Sequence, residues 1–387
     1  MIKQIFAVVG MNLQSLPQRL SASLVTMIGI AAVVAVMVSI LAIGAGLIQT
    51  ANRGSNPNQV IILSAGATAA YMGSITREQA AVIGDAPGIK KGPDGKPMFD
   101  PQATVIMEVT KKSDGGTANT GFLGESAEWL LKEPNFKIIK GRMYRPAVRE
   151  LIVGKNVASS FKNLDVGDHI VLRGSEWTVV GSFSTNGGLA ENGIIGDTNT
   201  VMAAFDRDTY QSVTANLESP AAFQRFTDAL TSDPRLKVDV KRENEYVQDQ
   251  LKQLTVILNV LAYFVGVIMA IGAVFGALNT MYSAVDSRAR EIATLRAIGF
   301  GGIPVVLSVM IEALVIAIPG ALLGAAIAWL LFNGNAAHIS SLTFPVVVTP
   351  GLVLLGVIWS LIIGLIGGFA PSIRAARLPV AAALRST

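Results

Sequence analysis

SRAREIATLRAIG, Ser287 to Gly299, sets Arg288, Arg290, Glu291 and Arg296 between two apolar runs of membrane length. Gly299 stands where a short polar helix would stop. Working outward, four apolar runs reach spanning length: Leu20 to Ile48, Leu254 to Leu278, Ile303 to Phe332 and Leu352 to Phe369. About 20 residues suffice for a hydrocarbon core of roughly 30 Å. They leave one large insert, residues 52–253. The fold class read from this is membrane α-helical, with four transmembrane helices and a large α+β extracytoplasmic domain inserted between helices 1 and 2.

Composition agrees with a chain that is part membrane and part water-facing. It is 51% hydrophobic and 15% charged, with a mean hydropathy of +0.50. The insert holds 23 of the 31 Lys and Arg residues and 24 of the 27 acids. The remaining basic residues, Lys3, Arg19, Arg288, Arg290, Arg296, Arg374, Arg377 and Arg385, all lie beside span ends, and Asn333 to Gly351 carries none. The positive-inside rule therefore places the N-terminus, the 284–302 loop and the C-terminus in the cytoplasm, and the insert outside. Excess charge spread along membrane edges forms no nucleic-acid patch. With no cysteine, the insert folds without disulfides.

The expected order is an interfacial amphipathic helix over 1–19 and spans over 20–51, 254–283, 303–332 and 351–370. The outer domain occupies 52–253, a polar helix 284–302, an outer loop 333–350 and a cytoplasmic tail 371–387. Ile2, Ile5, Phe6, Val9, Leu13 and Leu16 give the first helix its stripe. Strands are expected at Gln59–Ser64, Ala103–Thr110, Glu150–Val153, Asp168–Leu172 and Trp177–Phe183, with KKSDGGT, Lys111 to Thr117, as a hairpin turn. Helices are expected at Thr76–Ile83, Lys155–Phe161 and Pro220–Leu230, the last with Ser219 as its N-cap. Val240, Val247, Leu251 and Leu254 extend one helical stripe into the second span, and no proline falls between Glu243 and Ser283. A stalk of about 40 residues would reach about 60 Å; the alternative is an amphipathic helix followed by a hinge.

No phosphate-loop motif occurs, since GPDGK at 92–96 has the wrong spacing, so no nucleotide chemistry and no enzyme activity is expected of these residues. His169 and His338 have no ligand-spaced partners and read as surface residues, so no metal is expected. Glu312 is the one ionisable residue deep inside a span. It is either a proton carrier or, as its depth favours, a carboxyl group that bonds between helices or snorkels from the cytoplasmic third of the span. Gly272 with Gly276, Gly320 with Gly324, and Gly364 with Gly368 allow close helix packing, within the chain or with a second copy. Pro319 is expected to kink the third span. The run GSFSTNGGLAENGIIGD, 181–197, is either a binding loop or a linker.

REIATLRAIG, Arg290 to Gly299, followed by Glu312-Ala313 and the Pro319-Gly320 to Gly324 segment, resembles the MacB/FtsX-type ABC transporter permeases, the type VII mechanotransmission family. KGRMY at 140–144, ELIVGKNVASSF at 150–161, VGDHIVLRGSEWTVVGSF at 166–183 and the tail PSIRAARLPVAAALR carry the likeness through the chain. The resemblance implies a stand-alone permease subunit in a bacterial inner membrane, served by two copies of a separate ABC ATPase that uses the ATP. It implies a second permease copy or paralogue, and a periplasmic adaptor with an outer-membrane channel in many relatives. Arg288, Arg290, Glu291, Ile292, Leu295, Arg296 and Gly299 would form the ATPase-coupling helix. The implied function is an ATP-driven exporter or lipid/lipoprotein extruder; the alternative is an FtsX-like mechanotransducer that regulates a cell-wall hydrolase without transport.

Overall fold

Wherever the chain stays apolar for membrane length, the backbone is helical, because a backbone without water satisfies its polar groups most simply within a helix. The structure, a computed structural model, describes residues 20–53 and 56–379. In chain order its elements are α1 (Leu20–Arg53), β1 (Gln59–Ser64), α2 (Arg77–Gly84), β2 (Phe99–Thr110), β3 (Thr117–Glu125), α3 (Ala127–Lys132), β4 (Lys137–Gly141), β5 (Glu150–Gly154), α4 (Lys155–Ser160), β6 (His169–Leu172), β7 (Ser175–Ser184), β8 (Ile194–Asp197), α5 (Thr198–Ala204), β9 (Ser212–Asn216), α6 (Ala222–Ser232), β10 (Val238–Arg242), α7 (Glu243–Ser287), α8 (Ala289–Ala297), α9 (Gly302–Phe332), β11 (Ala336–Ile339), β12 (Leu342–Pro345) and α10 (Pro350–Ala376). Four of them, α1, α7, α9 and α10, are long and apolar enough to cross a membrane. The helix expected over 1–19 and the last residues of the tail lie outside the described residues.

These elements form two compact units. One contains the chain to Gly46, Leu254–Asn335 and the chain from Val346; the other contains Leu47–Gln253 with Ala336–Pro345. In the second unit one mixed sheet runs β10-β1-β9-β2-β3-β8-β5-β7-β4, with β6 paired to β7. The pairs β3/β8 and β5/β7 are parallel. One core gathers Phe122, Trp177, Phe161 and Leu151, and another gathers Ile62, Ile83, Phe226 and Val213. The KKSDGGT turn does join two antiparallel strands, β2 and β3. Thr76 caps α2 with a full capping box: its side chain accepts from Gln79 N, and Gln79 Oε1 accepts from Thr76 N.

Several expected boundaries shift. The helix expected from Pro220 begins at Ala222 instead, since Ser219 and Pro220 are used in a preceding turn whose carbonyls accept from Ala222 and Phe223. Val240 belongs to β10, so the stalk helix starts at Glu243. From there α7 is unbroken for 45 residues, about 67 Å of helix. α9 runs on through Pro319 without ending, and α10 continues through Pro371 to Ala376, into the stretch expected to be tail. The loop expected over 333–350 folds as the β11/β12 hairpin, which belongs to the outer unit. There Thr343 N donates to Asn192 Oδ1 at 2.8 Å and Thr343 O accepts from Asn156 Nδ2 at 3.1 Å.

The 181–197 run is not a loose linker. Glu191, fully buried, draws it closed: its carboxylate accepts from Ser184 Oγ at 2.6 Å and from the backbone N–H groups of Thr185 and Gly187 at 2.8 Å each. Lys155 supplies the countercharge at 3.0 Å.

Candidate coupling helix and its buried ion pair

The long helix α7 ends at Ser287, and Arg288, with φ −107° and ψ 11°, turns the chain into α8. The short helix closes as a Schellman motif. Gly299 N donates to Arg296 O and Phe300 N to Leu295 O, both at 3.1 Å, with Gly299 at φ +100°. A side chain at Gly299 would be strained in that left-handed conformation, which is why a glycine ends this helix. Glu291 in the first turn and Arg296 in the last complement the helix dipole.

One side of α8 is fixed to the membrane helices. Ile292 packs with Val285, Val305, Val309 and Ala375. Arg288 is only 4% exposed and Glu312, on α9, only 5%. Their side chains meet, with Arg288 Nη1 donating to Glu312 Oε2 at 3.1 Å. Arg296 Nη1 donates to the carbonyls of Ala376 at 2.6 Å and Leu378 at 3.2 Å, thereby holding the C-terminal end of α10. Asp286 and Arg374 add an exposed ion pair at 3.2 Å, and Arg374 also lies over the Tyr282 ring.

The opposite side of α8 is exposed. It consists of Arg290, Glu291, Thr294, Ala297 and Ile298, the last 70% accessible. Of the residues expected to meet an ATPase, Arg290 and Glu291 therefore stand on the solvent-exposed face. Leu295 and Arg296 are half-buried, Arg288 and Ile292 are turned inward, and Gly299 ends the helix. Residue type alone did not separate the arginines: all three flank apolar residues, and only the depth of Glu312 hinted at an internal partner for one of them. Ile298, missed in the sequence, is the apolar residue most open on this face.

The glycine pairs divide in the same way. A Cβ built on Gly320 would lie 3.0 Å from the Met27 carbonyl oxygen, and one on Gly324 would meet the Ala31 carbonyl oxygen, so both face α1. Gly364 and Gly368 face Ala317 and Ala313 of α9, at 3.1 and 2.9 Å by the same construction. Gly367, which the four-residue spacing passes over, is the one set against Ala277 of α7. A Cβ built on Gly272 or Gly276 would meet nothing within 4 Å among the described residues. Among the described residues no group of three or more His, Cys, Asp or Glu side chains is arranged to hold a metal. His169 and His338 are exposed or partly exposed and bond to Thr178 and Thr343 hydroxyls.

Residues 23–233 match the MacB-like periplasmic core domain and residues 263–380 the FtsX-like permease C-terminal region. A stretch of 124 residues is 36% identical to the macrolide export ATP-binding/permease protein MacB of Campylobacter jejuni, and covers 32% of this chain and 19% of that protein. MacB of Bdellovibrio bacteriovorus is 24% identical over 93% of this chain, a match that spans 58% of the relative. The chain thus spans well under two thirds of these two MacB proteins. The uncharacterized ABC transporter permease YknZ of Bacillus subtilis is 21% identical over 97% of this chain and 98% of its own length.

Proposed function

This chain belongs to the MacB/FtsX-like permeases, and from that premise we propose that it is the membrane subunit of an ATP-driven exporter, worked by an ATPase subunit that docks on the solvent-exposed face of α8. It is a multi-pass membrane protein with a MacB-like periplasmic core domain, an ABC transporter permease subunit by family. The observation that carries the finer reading is the two-sidedness of α8. One face is tied by Arg288 to α9 and by Arg296 to α10, while Arg290, Glu291 and Ile298 are exposed to solvent on the other. A helix so held moves its neighbours when a partner pushes it, because packed elements transmit displacement rather than absorb it. The sense of the charge flanks, basic at span ends, puts that face in the cytoplasm where ATP is.

In this reading, closure of two ATPase subunits displaces α8, and α7 carries the movement along its 45 residues toward the sheet it joins at β10. Gly272 and Gly276 on α7, open at the Cβ position among the described residues, suit a second permease copy, since small residues let helices approach closely in lipid.

The test is reconstitution with an ABC ATPase subunit from the same organism. Ile298→Asp combined with Glu291→Lys is expected to lower ATPase co-purification and its stimulation by tenfold or so, about 1.4 kcal/mol, while the melting temperature is unchanged. Full binding and stimulation in that variant would refute the docking face. Arg296→Glu differs, because it loses the Ala376 and Leu378 carbonyls and lowers the melting temperature as well.

A further inference from the structure

The outer unit contains a cavity of about 350 Å³ between β1, β3, α3, the Glu191-cinched loop and the first turns of α7. Its volume is near the lower end of the roughly 300–1,000 Å³ typical of small-molecule sites. The walls are largely apolar, with Leu123, Trp129, Leu130, Phe136, Phe183 and Val247. Three carboxylates, Glu125, Glu133 and Glu243, open onto the same space, and among the described residues no Lys, Arg or His lines it. One oxygen of Glu133 accepts from Asn216 Nδ2 at 3.2 Å. Glu243 Oε2 is buried with no hydrogen-bond partner among the described residues. A buried carboxylate oxygen without a donor costs free energy that a bound donor would recover.

Folding alone gives no reason for this arrangement. Two other carboxylates of the same unit are matched by cations, Glu150 by Arg142 and Arg145, both at 2.7 Å, and Glu191 by Lys155, whereas buried Asp100 accepts from the Ser126 N–H instead. The cavity carboxylates face further acids instead of cations. Asp100 stands close to Glu125 and Asp197 close to Asp100, and Tyr144 Oη is spent on the Glu125 carbonyl at 2.7 Å.

We propose that this cavity binds a small amphiphilic cation, an amine on an apolar body, with the ammonium answering Glu125, Glu133 and Glu243 and the body lying against Trp129, Phe136 and Phe183. The ammonium brings the donors that the carboxylates lack, and the aromatic walls add apolar burial and cation–π attraction. The site goes beyond the export reading, since it assigns a ligand to the outer unit whatever the ATPase does.

Equilibrium dialysis of the full chain in phosphatidylcholine nanodiscs tests it, with no ATPase or nucleotide present, so its outcome and that of the docking test are separate. The probes are naphthylmethylammonium, naphthylmethanol and naphthylacetate, which share one apolar body and differ in charge, with empty nanodiscs as the background. The ammonium is expected to bind saturably and about tenfold or more tighter than the alcohol or the anion, a gap of roughly 1.4 kcal/mol. Glu125→Gln with Glu133→Gln is expected to abolish that preference while leaving the weak binding of the alcohol, which also reports an intact cavity. Ala190→Phe, which fills the space and keeps the carboxylates, is expected to remove binding of all three probes. Glu128→Gln, an exposed carboxylate on α3 outside the cavity, should change nothing. Equal binding of the three probes, no saturable binding of the ammonium, or an unaltered preference in the double Gln variant would each overturn the proposal.

Discussion

Glu312 in the membrane unit and Glu125 in the outer unit are both carboxylates drawn away from water, but their surroundings are opposite. Glu312 has a guanidinium 3.1 Å away. Glu125 has Asp100, Glu243 and Glu133 for neighbours, and together with burial they push its carboxyl up to about 8. A buried pair completes itself and so holds structure, whereas a buried group of like charges is completed only by something from outside. The first arrangement describes a joint between α8 and α9, and the second a site. The Arg288–Glu312 contact is of the kind that the interhelical reading of Glu312 expects, and the partner comes from the very segment expected to meet the ATPase.

The largest effect should come from breaking the joint. Arg288→Ala or Glu312→Ala leaves one charge buried without its partner, a loss of about 3–5 kcal/mol, read as a lower melting temperature and poor recovery from detergent. Arg288→Met with Glu312→Leu removes both charges and should lose less than either single change. If the single variants were as stable as the parent, the pair would not be a joint. Next in size are the glycines. Gly324→Leu drives a side chain into the Ala31 backbone and should cost about 1–3 kcal/mol. Gly272→Leu places its Cβ against nothing among the described residues, should stay within about 0.5 kcal/mol in stability, and should lower only self-association, measured by cross-linking in nanodiscs. Equal losses at the two positions would show that Gly272 is packed within the chain after all.

How much of this was legible follows from what each residue's role depends on. The four spans, the unbroken stalk and the stop at Gly299 are local: run length, the absence of proline and one glycine decide them. β9, Ser212–Asn216, gave no signal, because SVTAN has little of the alternation of a half-exposed strand and all five residues are buried inside the sheet. β3 was reached only through its turn, since TANTGFLGE has few of the residues that favour strands. In the site, spacing found the glycines at four-residue intervals but not Gly367, and composition found the arginines but not their directions. Arg288 and Arg290 are two residues apart and point one inward, one outward; a helix start between them settles that, and only the packing of α9 shows what waits inside. The cavity was invisible for a related reason, as its carboxylates come from β3, the end of α3 and the start of α7, and no spacing links them.

The outer unit should also record its unmatched acids in its pH dependence. Burial pushes Asp100 up to about 7, and burial with neighbouring charges pushes Glu125 up to about 8, from ordinary values of 3.8 and 4.5. Each group is held neutral in the folded state over a range where the unfolded chain ionises it, so the folded state binds more protons there and stability falls with rising pH. The contribution is complete below about 4 and is lost as pH climbs through about 7 to 8. The slope for one such group is at most about 1.4 kcal/mol per pH unit, and about 2–4 °C of melting temperature accompanies each kcal/mol in a domain of this size. Glu150 acts outside that window, as hydrogen bonds from Arg142, then from Arg145, hold its carboxyl down to about 2. Glu125→Gln should therefore flatten the fall in melting temperature between about pH 5 and 8, with the share due to Asp100 remaining. Saturating naphthylmethylammonium should flatten it in the parent chain by favouring the ionised carboxylates. A melting temperature that fell just as steeply in Glu125→Gln as in the parent would mean that Glu125 is solvated and ionised in the fold, and the contrast with Glu312 would then reduce to burial alone.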